Sequence, residues 1–194
     1  MKKYELTGEC KVYFGVTLRR IKSLIDFSDV KKGELGGFIE KEENLSHGGD
    51  AWVYGNARVS GNARVYDDAR VYGNARVSGN ARVSGNARVY GDARVSSNAR
   101  VSGNARVYDD ARVSGDARVS GNADYVLIGR IGSRFGFTTF FRNKNNEIYV
   151  SCGCFLGTLA KFRKKVKETH GTDTKYAKVY QAAADLAEMQ ILNK

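Results

Sequence analysis

Apolar and polar residues alternate with a fixed six-residue period through the middle of the chain. Alanine recurs at every sixth position from Ala51 to Ala123, and valine at every sixth position from Val53 to Val119. Within each unit, Ala, Arg, Val and Tyr or Ser alternate inward and outward as in a short β-strand. Gly and Asn or Asp follow, and these residues tolerate the backbone of a tight corner. A six-residue unit cannot bury its own apolar face, so the units are predicted to stack on one another.

The residue that follows each valine has a second, longer period. One class of units has tyrosine there, at Tyr54, Tyr72, Tyr90 and Tyr108. The next class has serine, at Ser60, Ser78, Ser96 and Ser114. The third class has Tyr66, followed by Ser84, Ser102 and Ser120. Because the classes separate only when every third unit is compared, the 18-residue superperiod indicates three strands per coil, which form a triangular prism.

An aliphatic residue is followed four positions later by a small one, as in Val53 and Ala57 or Val77 and Ala81. On these residues the array at 51–125 resembles the hexapeptide-repeat, left-handed parallel β-helix family. The resemblance implies a left-handed coil, which the spacing alone does not define, and it implies a homotrimer. The family often has a small or acidic residue after the aliphatic one, where this chain has Tyr or Ser.

The predicted fold is therefore mainly β: a left-handed parallel β-helix with three hexapeptides per 18-residue coil, followed by a small α+β C-terminal appendage. We predict an N-terminal cap at 1–35, the β-helix at 36–125 and an α+β domain with two helices at 126–194. The cap covers the open edge of the first coil, since an exposed β edge invites aggregation.

The repeat extends back toward Gly36 when 44–47 is aligned with 50–53. This alignment places Ile39 and Leu45 in the alanine slot and His47 in the valine slot. In the cap, 4–8 and 11–20 have the character of strands. Leu18, Ile21 and Ile25 also fit one face of a helix, so both interpretations of that segment stay open.

The C-terminal part reads as a small meander followed by two helices. Strands are predicted near 125–128, 135–142 and 147–152. Thr158 is a plausible N-cap for a first helix that buries Leu159, Phe162 and Val166 and ends before Gly171. A second helix at 175–192 is predicted to turn the following residues inward: Tyr176, Val179, Tyr180, Ala183 and Leu186.

Composition excludes several classes of protein. No run of about 18 apolar residues exists, which excludes a transmembrane helix and any membrane partner. The charged N-terminus leads into no apolar segment of a signal peptide. Three cysteines, an odd number, fit a reducing cytosol better than a disulfide framework. We therefore expect a cytoplasmic protein.

The chain as a whole is also similar to a widespread group of bacteriophage and prophage proteins. The segments that carry this likeness are 36–47, the hexad array, 151–159, 167–171 and 176–178. The resemblance implies a phage accessory protein in the cytoplasm of the host bacterium, and it implies no particular activity.

Candidate catalytic chemistry is sparse. Many hexapeptide-repeat proteins are acyltransferases with a histidine base between subunits, and this chain offers only His47 and His170. A capping role is expected for His47 and a helix-terminal role for His170, and neither has a sequence partner that would tune a base. Cys152 and Cys154 are too few for a structural zinc site. We predict no catalytic residue, no metal and no cofactor, and the chain is more plausibly not an enzyme.

The most prominent polar feature is an outward row of eleven arginines, one per strand from Arg58 to Arg118. Coils of a parallel β-helix lie about 4.8 Å apart, so like charges repel. We expect the corner aspartates to neutralise about half of these charges: Asp67, Asp68, Asp92, Asp109, Asp110 and Asp116.

One face combines arginine with tyrosine. Its predicted ligand-binding residues are Trp52, Tyr54, Arg70, Tyr72, Arg88, Tyr90, Arg106 and Tyr108. Tyrosine and arginine are favoured at protein interfaces, and they also stack purines and hold phosphates. We hypothesise that this face packs against partner subunits, with an anionic site at the seam.

The second candidate surface is a basic helix. Residues 126–194 carry 12 basic and 5 acidic side chains. The cluster consists of Lys161, Arg163, Lys164, Lys165 and Lys167. Such a helix can contact phosphates, but no groove-reading motif accompanies it, so specific DNA binding is not predicted.

Three functions remain as hypotheses. The leading one is a non-catalytic phage accessory protein that binds an anionic ligand or a host partner, for example by sequestering a nucleotide immune signal in counter-defence. The first alternative is a structural or protein-interaction scaffold that inhibits a host protein. The second alternative is a hexapeptide-type acyltransferase.

Overall fold

A computed structural model describes residues 1–192. A β-solenoid of about five coils occupies the middle of the chain. Its twelve strands have two residues each. They are β4 (Trp52–Val53), β5 (Arg58–Val59), β6 (Arg64–Val65), β7 (Arg70–Val71), β8 (Arg76–Val77), β9 (Arg82–Val83), β10 (Arg88–Val89), β11 (Arg94–Val95), β12 (Arg100–Val101), β13 (Arg106–Val107), β14 (Arg112–Val113) and β15 (Arg118–Val119).

The strands form three parallel sheets, one per side of a prism. We call them the Tyr–Arg face (β4, β7, β10, β13), the hairpin face (β5, β8, β11, β14) and the Tyr66 face (β6, β9, β12, β15). Each strand pairs in register with the strand one coil later, as Arg70 does with Arg88. This arrangement confirms the parallel β-helix with three strands per coil.

Alanine and valine fill the interior as the period predicted. Every alanine from Ala51 to Ala117 and every valine from Val53 to Val119 is at most 1% exposed. Between coils, backbone bonds such as Arg88 N–H to the Ala105 carbonyl, at 2.9 Å, complete the ladders. The coil is therefore held by two repeated contributions, apolar burial inside and backbone hydrogen bonds along the axis.

The corners require a left-handed backbone. Gly73 adopts φ 69°, and a Cβ there would lie 3.0 Å from the backbone nitrogen of Gly91 on the next coil. Asp67, Ser97 and Asp109 adopt the same conformation at other corners. Glycine is thus favoured where two corners stack closely, and aspartate or serine replaces it at some conformational cost.

The first coil differs from the prediction in its register. Strand β3 (Leu35–Ile39) pairs in parallel with β5, which places Ile39 beside Val59. Leu45 likewise bridges to Val65, so both residues occupy the valine slot. The predicted positions, with Ile39 and Leu45 in the alanine slot and His47 in the valine slot, are wrong. The reason is that the first coil contains two more residues than the later ones.

An antiparallel hairpin precedes the solenoid. Strands β1 (Tyr4–Tyr13) and β2 (Val16–Ser23) are joined by a turn at Phe14 and Gly15, and β2 pairs with β3. The segment that was open to two interpretations is therefore a strand. The hairpin extends the hairpin face to seven strands.

Aromatic side chains and a buried lysine fill the N-terminal end of the prism. The Trp52 ring is fully buried, with the rings of Tyr4 and Phe27 at 6.1 and 5.4 Å. The Lys3 ammonium group donates to the carbonyl oxygens of Gly49 and Ala51 at 3.0 and 2.8 Å. Burial lowers the pKa of Lys3 to about 8. These contacts close the first coil to water.

The C-terminal part forms a four-stranded antiparallel sheet covered by two helices. The strands are β16 (Tyr125–Ile131), β17 (Gly136–Arg142), β18 (Ile148–Cys152) and β19 (Phe155–Thr158). The helices are α1 (Leu159–His170) and α2 (Lys175–Leu192). The small α+β appendage is thus confirmed, with β19 as an unpredicted strand. The division into domains at 35 and 125 stays a prediction.

The two helices differ in how well their buried faces were predicted. In α1, the Thr158 hydroxyl accepts the Lys161 N–H, and the three predicted apolar residues are buried. In α2, Tyr176 and Leu186 are 39% and 48% exposed, which corrects their predicted inward orientation. The stripe that α2 buries consists mostly of small residues: Ala177, Tyr180, Ala183, Ala184, Ala187 and Ile191.

A buried carboxylate joins the last coil to this sheet. Asp124 Oδ2 accepts the backbone N–H groups of Ser120 and Gly121 at 2.8 and 2.9 Å. Asp124 Oδ1 accepts from Arg142 Nε at 3.1 Å. Arg142 also contacts the Ile191 carbonyl of α2. One ion pair therefore connects the solenoid, the sheet and a helix.

We expect Asp124→Ala to lower the free energy of unfolding by about 2–4 kcal/mol, because it removes the acceptor of Arg142 Nε and of the backbone N–H groups of Ser120 and Gly121. Urea unfolding followed by circular dichroism measures the change. Asp110→Ala, at an exposed corner, is the control and should stay within about 0.5 kcal/mol of the natural protein. Equal effects for both variants would contradict this role.

A polar row runs along one exposed corner of the prism. Asn62, Asn80 and Asn98 each donate a side-chain N–H to the next coil, at 3.2–3.3 Å, and the last of them donates to Asp116. Lys144 closes the row through its contact with Asp116 at 2.8 Å. Hydrogen bonds from Lys144 and Asn98 lower the pKa of Asp116.

The stability that Asp116 contributes is expected to depend on pH. Because the pKa of Asp116 is lower in the folded than in the unfolded chain, its carboxylate stabilises the fold at pH values above the unfolded-state pKa of about 3.9. This stabilisation is lost as the pH falls through the folded-state pKa. The melting temperature of the natural protein should exceed that of Asp116→Asn at pH 6 and converge with it below about pH 3. A difference that stays constant with pH would contradict the assignment.

Candidate functional site

The Tyr–Arg face presents a continuous column of aromatic rings. Tyr72 and Tyr90 are parallel, with centroids 4.8 Å apart, and Tyr90 and Tyr108 are 5.6 Å apart. Tyr54 meets one end of this column edge-on at 6.5 Å, and Tyr125 meets the other at 6.2 Å. The sequence did not indicate Tyr125, since it lies one residue before the next 18-residue step.

The stacking restricts what the tyrosines can bind. Inserting a base between two rings needs roughly 7 Å, twice the usual contact distance between carbon atoms. The Tyr72–Tyr90 spacing of 4.8 Å excludes such insertion. A purine therefore cannot insert between Tyr72 and Tyr90, and the predicted stacking of purines on this face stays a prediction for the other ring surfaces. Burial raises the pKa of Tyr90, and the neighbouring Tyr72 raises it further.

The first arginine of this face is paired within the chain. Arg70 contacts Asp29 at 2.9 Å and Ser28 Oγ at 2.9 Å. The Tyr54 hydroxyl also donates to Asp29, at 3.1 Å. Burial opposes ionisation of Asp29, yet a backbone hydrogen bond and the bonds from Tyr54 and Arg70 keep its pKa below the usual range. The N-terminal end of the face is thus closed by the 28–29 loop, which no sequence period indicates.

Arg88 and Arg106 are exposed and have no ion pair or side-chain hydrogen bond with residues 1–192. Two cavities accompany them. One cavity, of about 370 Å³, is lined by Arg88, Tyr72 and the Arg70–Asp29 pair. The other, of about 510 Å³, lies at the C-terminal end beside Arg106, Tyr108 and Gln190 of α2. The available part of the face therefore consists of guanidinium groups beside a rigid tyrosine column.

Trp52 does not belong to this surface. Its ring is fully buried beneath the N-terminal segment, so it seals the prism and offers nothing to a ligand. The prediction of Trp52 as a binding residue is wrong because the segment that covers it is distant in sequence.

The corner aspartates do not neutralise the arginine rows. Within residues 1–192, none of them pairs with a row arginine within 4.0 Å. Asp67 instead accepts the Gly85 N–H, and Asp116 binds Lys144. Row arginines without an ion pair or side-chain hydrogen bond in the described chain are Arg58, Arg64, Arg76, Arg82, Arg88, Arg94, Arg100 and Arg106. Of these, Arg58 lies over the Tyr13 ring, 3.8 Å from its centroid. Most of the row charge is compensated only by solvent.

The histidines lie away from the Tyr–Arg face. His47 Nδ1 accepts the Lys3 N–H at 3.2 Å, its ring stacks on Tyr4 at 4.3 Å, and Nε2 lies 3.8 Å from Glu42. His170 packs against the Tyr180 ring at 5.8 Å. These contacts give both side chains structural partners, and the lone pair of His47 Nδ1 is already used.

The cysteines form no ligand set in the described part of the chain. Cys152 accepts a hydrogen bond from Thr138 at 3.2 Å, while Cys154 and Cys10 are exposed. No group of three or more His, Cys, Asp or Glu side chains within 1–192 is arranged to hold a metal ion.

The basic helix is partly neutralised by its neighbours. Arg163 pairs with Asp185 and Glu188 of α2 at 2.7 and 2.8 Å. Lys164 and Lys165 lie 4.0 and 3.8 Å from Glu168. Of the predicted cluster, Lys161 and Lys167 are exposed without an ion pair to residues 1–192. This surface therefore carries less free charge than its sequence suggests.

These observations define a β-solenoid protein with one basic and aromatic face. A family model described as YdcK Beta solenoid repeat matches eight segments between 51–67 and 111–123. The chain is also similar to the "Uncharacterized acetyltransferase YdcK" of Escherichia coli (strain K12), with 35% identity over 80 residues. The match covers 34% of this chain and 24% of that relative.

No helix within 1–192 is long and apolar enough to cross a lipid bilayer.

The uncompensated charge leads to a stability prediction. Arg88 lies between Arg70 and Arg106 on adjacent coils, and we expect Arg88→Gln to raise the free energy of unfolding by about 0.5–1 kcal/mol at low salt. The gain should disappear near 1 M salt. Arg70→Gln is the matched control and should destabilise the protein, since it breaks the pair with Asp29. Thermal unfolding at two salt concentrations measures both, and destabilisation by Arg88→Gln would contradict the repulsion.

Proposed function

We propose that this chain is a non-catalytic binding protein that holds an anionic ligand on its Tyr–Arg face. The observation that carries the proposal is the pair of exposed guanidinium groups, Arg88 and Arg106, beside the stacked Tyr72–Tyr90–Tyr108 column. Arginine binds phosphate through two parallel N–H donors, and adjacent arginines share the charge of such a ligand.

The rigid column supports this function through preorganisation. Stacked rings have lost most of their freedom before a ligand arrives, so little further conformational entropy is lost on binding. The hydroxyl groups of Tyr72 and Tyr90 have no hydrogen-bond partner in the described chain and can donate to phosphate oxygens. Because the ring faces are already in contact, recognition would use phosphates and hydroxyl groups more than base stacking.

A homotrimer would complete the site. The two cavities on this face are open to solvent, and a neighbouring subunit packed against the tyrosine column would enclose an anion at the seam. Tyrosine and arginine are enriched in the buried centres of protein interfaces. The trimer comes from the resemblance to hexapeptide-repeat proteins.

The biological setting comes from the resemblance to bacteriophage proteins. A phage protein of this kind would act in the host cytoplasm and sequester a nucleotide immune signal without degrading it. The positive rows and the structural partners of both histidines support sequestration over turnover.

The double variant Tyr72→Ser and Tyr90→Ser tests the proposal, because serine already occupies the equivalent slots on the other faces. The natural protein is incubated with a panel of linear and cyclic nucleotides, denatured, and the released ligand identified by mass spectrometry. We expect intact nucleotide from the natural protein and at least about tenfold weaker binding, or monomers, from the double variant. Light scattering reports the oligomer.

Tyr176→Ser, at an exposed tyrosine of α2, is the matched control and should leave this binding and the oligomer unchanged. An unchanged oligomer with unchanged nucleotide binding in the double variant would overturn the proposal. So would the recovery of no nucleotide at all.

Two other functions have specific support. An acyltransferase is favoured by the similarity to the Escherichia coli protein, which is named an uncharacterized acetyltransferase, and it predicts acyl-CoA binding that is lost in His47→Ala or His170→Ala. A scaffold that inhibits a host protein is favoured by the flat, patterned faces, and it predicts capture of one host protein in stoichiometric amount. The occupied Nδ1 of His47 argues against the enzyme.

A further inference from the structure

Tyr66 is the one tyrosine in a column that otherwise contains serine. On the Tyr66 face, the equivalent positions of the next coils are Ser84, Ser102 and Ser120. Tyr66 lines a cavity of about 510 Å³ at the N-terminal end of this face, a size typical of small-molecule sites. The proposed function does not use this residue or this cavity.

The Tyr66 ring is available in a way that the tyrosine column is not. No aromatic ring of residues 1–192 stacks on it, and no cation lies over it. The side chain is half-buried. A flat ligand can therefore stack on Tyr66, whereas the faces of Tyr72 and Tyr90 already contact each other.

Unpaired charges of opposite sign line the same cavity. Arg64 and Arg82, on adjacent coils, are exposed and have no ion pair in the described chain. Glu43 also lines the cavity, is exposed, and has no ion pair within 4.0 Å among residues 1–192. Its neighbour Glu42, in contrast, pairs with Lys2 at 2.7 Å. The cavity thus offers two guanidinium groups and one free carboxylate.

The turn that carries Glu43 is fixed to the solenoid. Asn44 is fully buried, and its Oδ1 accepts the backbone N–H groups of Glu40 and Lys41 at 3.2 and 3.0 Å. Its Nδ2 donates to the carbonyl oxygens of Gly61 and Ala63 at 3.0 and 2.8 Å. Four hydrogen bonds from one side chain therefore hold this wall of the cavity, so the site exists before a ligand binds.

We propose that this cavity is a second binding site, which takes a ligand of the mononucleotide class. Arg64 and Arg82 hold the phosphate, the base stacks on Tyr66, and the Glu43 carboxylate accepts from an exocyclic amine of the base. Each contact uses a group that has no partner of its own in the described chain.

Calorimetric titration of the full chain with AMP tests the site. The first comparison uses three related probes: ribose 5-phosphate lacks the base, adenosine lacks the phosphate, and IMP lacks the exocyclic amine. We expect AMP to bind most tightly, and adenosine and ribose 5-phosphate to bind at least about tenfold more weakly. Glu43→Gln should reduce the preference for AMP over IMP.

Tyr66→Ser is the central variant, because serine is the natural residue at this position on the three following coils. It should weaken AMP binding about tenfold or more, while the far-ultraviolet circular dichroism stays unchanged. Arg82→Gln is the second variant and should weaken AMP but leave adenosine unchanged.

The double variant Tyr72→Ser and Tyr90→Ser separates this inference from the proposed function. We expect it to retain AMP binding at the Tyr66 cavity. Failure of AMP to bind at millimolar concentration, or AMP binding that survives Tyr66→Ser and Arg82→Gln, would overturn the second site. Binding lost only in the tyrosine-column variant would overturn it in favour of the Tyr–Arg face.

Discussion

The structure depends on one constraint, which is that each coil lies directly over the previous one at the spacing of a backbone hydrogen bond. Since the 18-residue superperiod equals one coil, each side chain lies beside the side chain at the equivalent position of the next coil. Alanine lies on alanine and valine on valine, and both rows are buried in the interior. Asparagine on asparagine forms a row of hydrogen bonds, and tyrosine on tyrosine forms a column of rings. Arginine on arginine is the exception, because like charges repel.

The same constraint leaves the two ends of the prism without a neighbouring coil. At one end, Trp52, Tyr4 and the ammonium group of Lys3 replace the missing coil. At the other end, Asp124 accepts the free backbone N–H groups of the last coil and pairs with Arg142. Both ends therefore use a buried ionisable group where a purely apolar plug would leave backbone groups unpaired.

Both proposed binding sites lie at positions of the repeat whose charged side chains have no partner in the described chain. Arg88 and Arg106 beside the tyrosine column have no acidic partner in the described chain, and neither do Arg64 and Arg82 beside Tyr66. Repulsion among guanidinium groups without a counter-ion decreases when an anion binds between them. Anion binding is therefore favoured both by its contacts with the arginines and by this relief of repulsion. The family model of YdcK β-solenoid repeats matches the segments that create this array, and the proposals concern the side chains placed on it.

The period by itself determined the fold, the three strands per coil and the residues of each face, because every unit has the same local chemistry and one contact pattern satisfies all of them. Tertiary structure decided the features where the period breaks. Two additional residues shifted the first coil, so Leu45 and not His47 entered the valine slot. A distant loop paired Asp29 with Arg70, and the N-terminal segment buried Trp52. The close coil spacing closed the faces of the tyrosine column. These outcomes depend on which distant segments meet at each end of the prism, and a local repeat contains no information about such contacts.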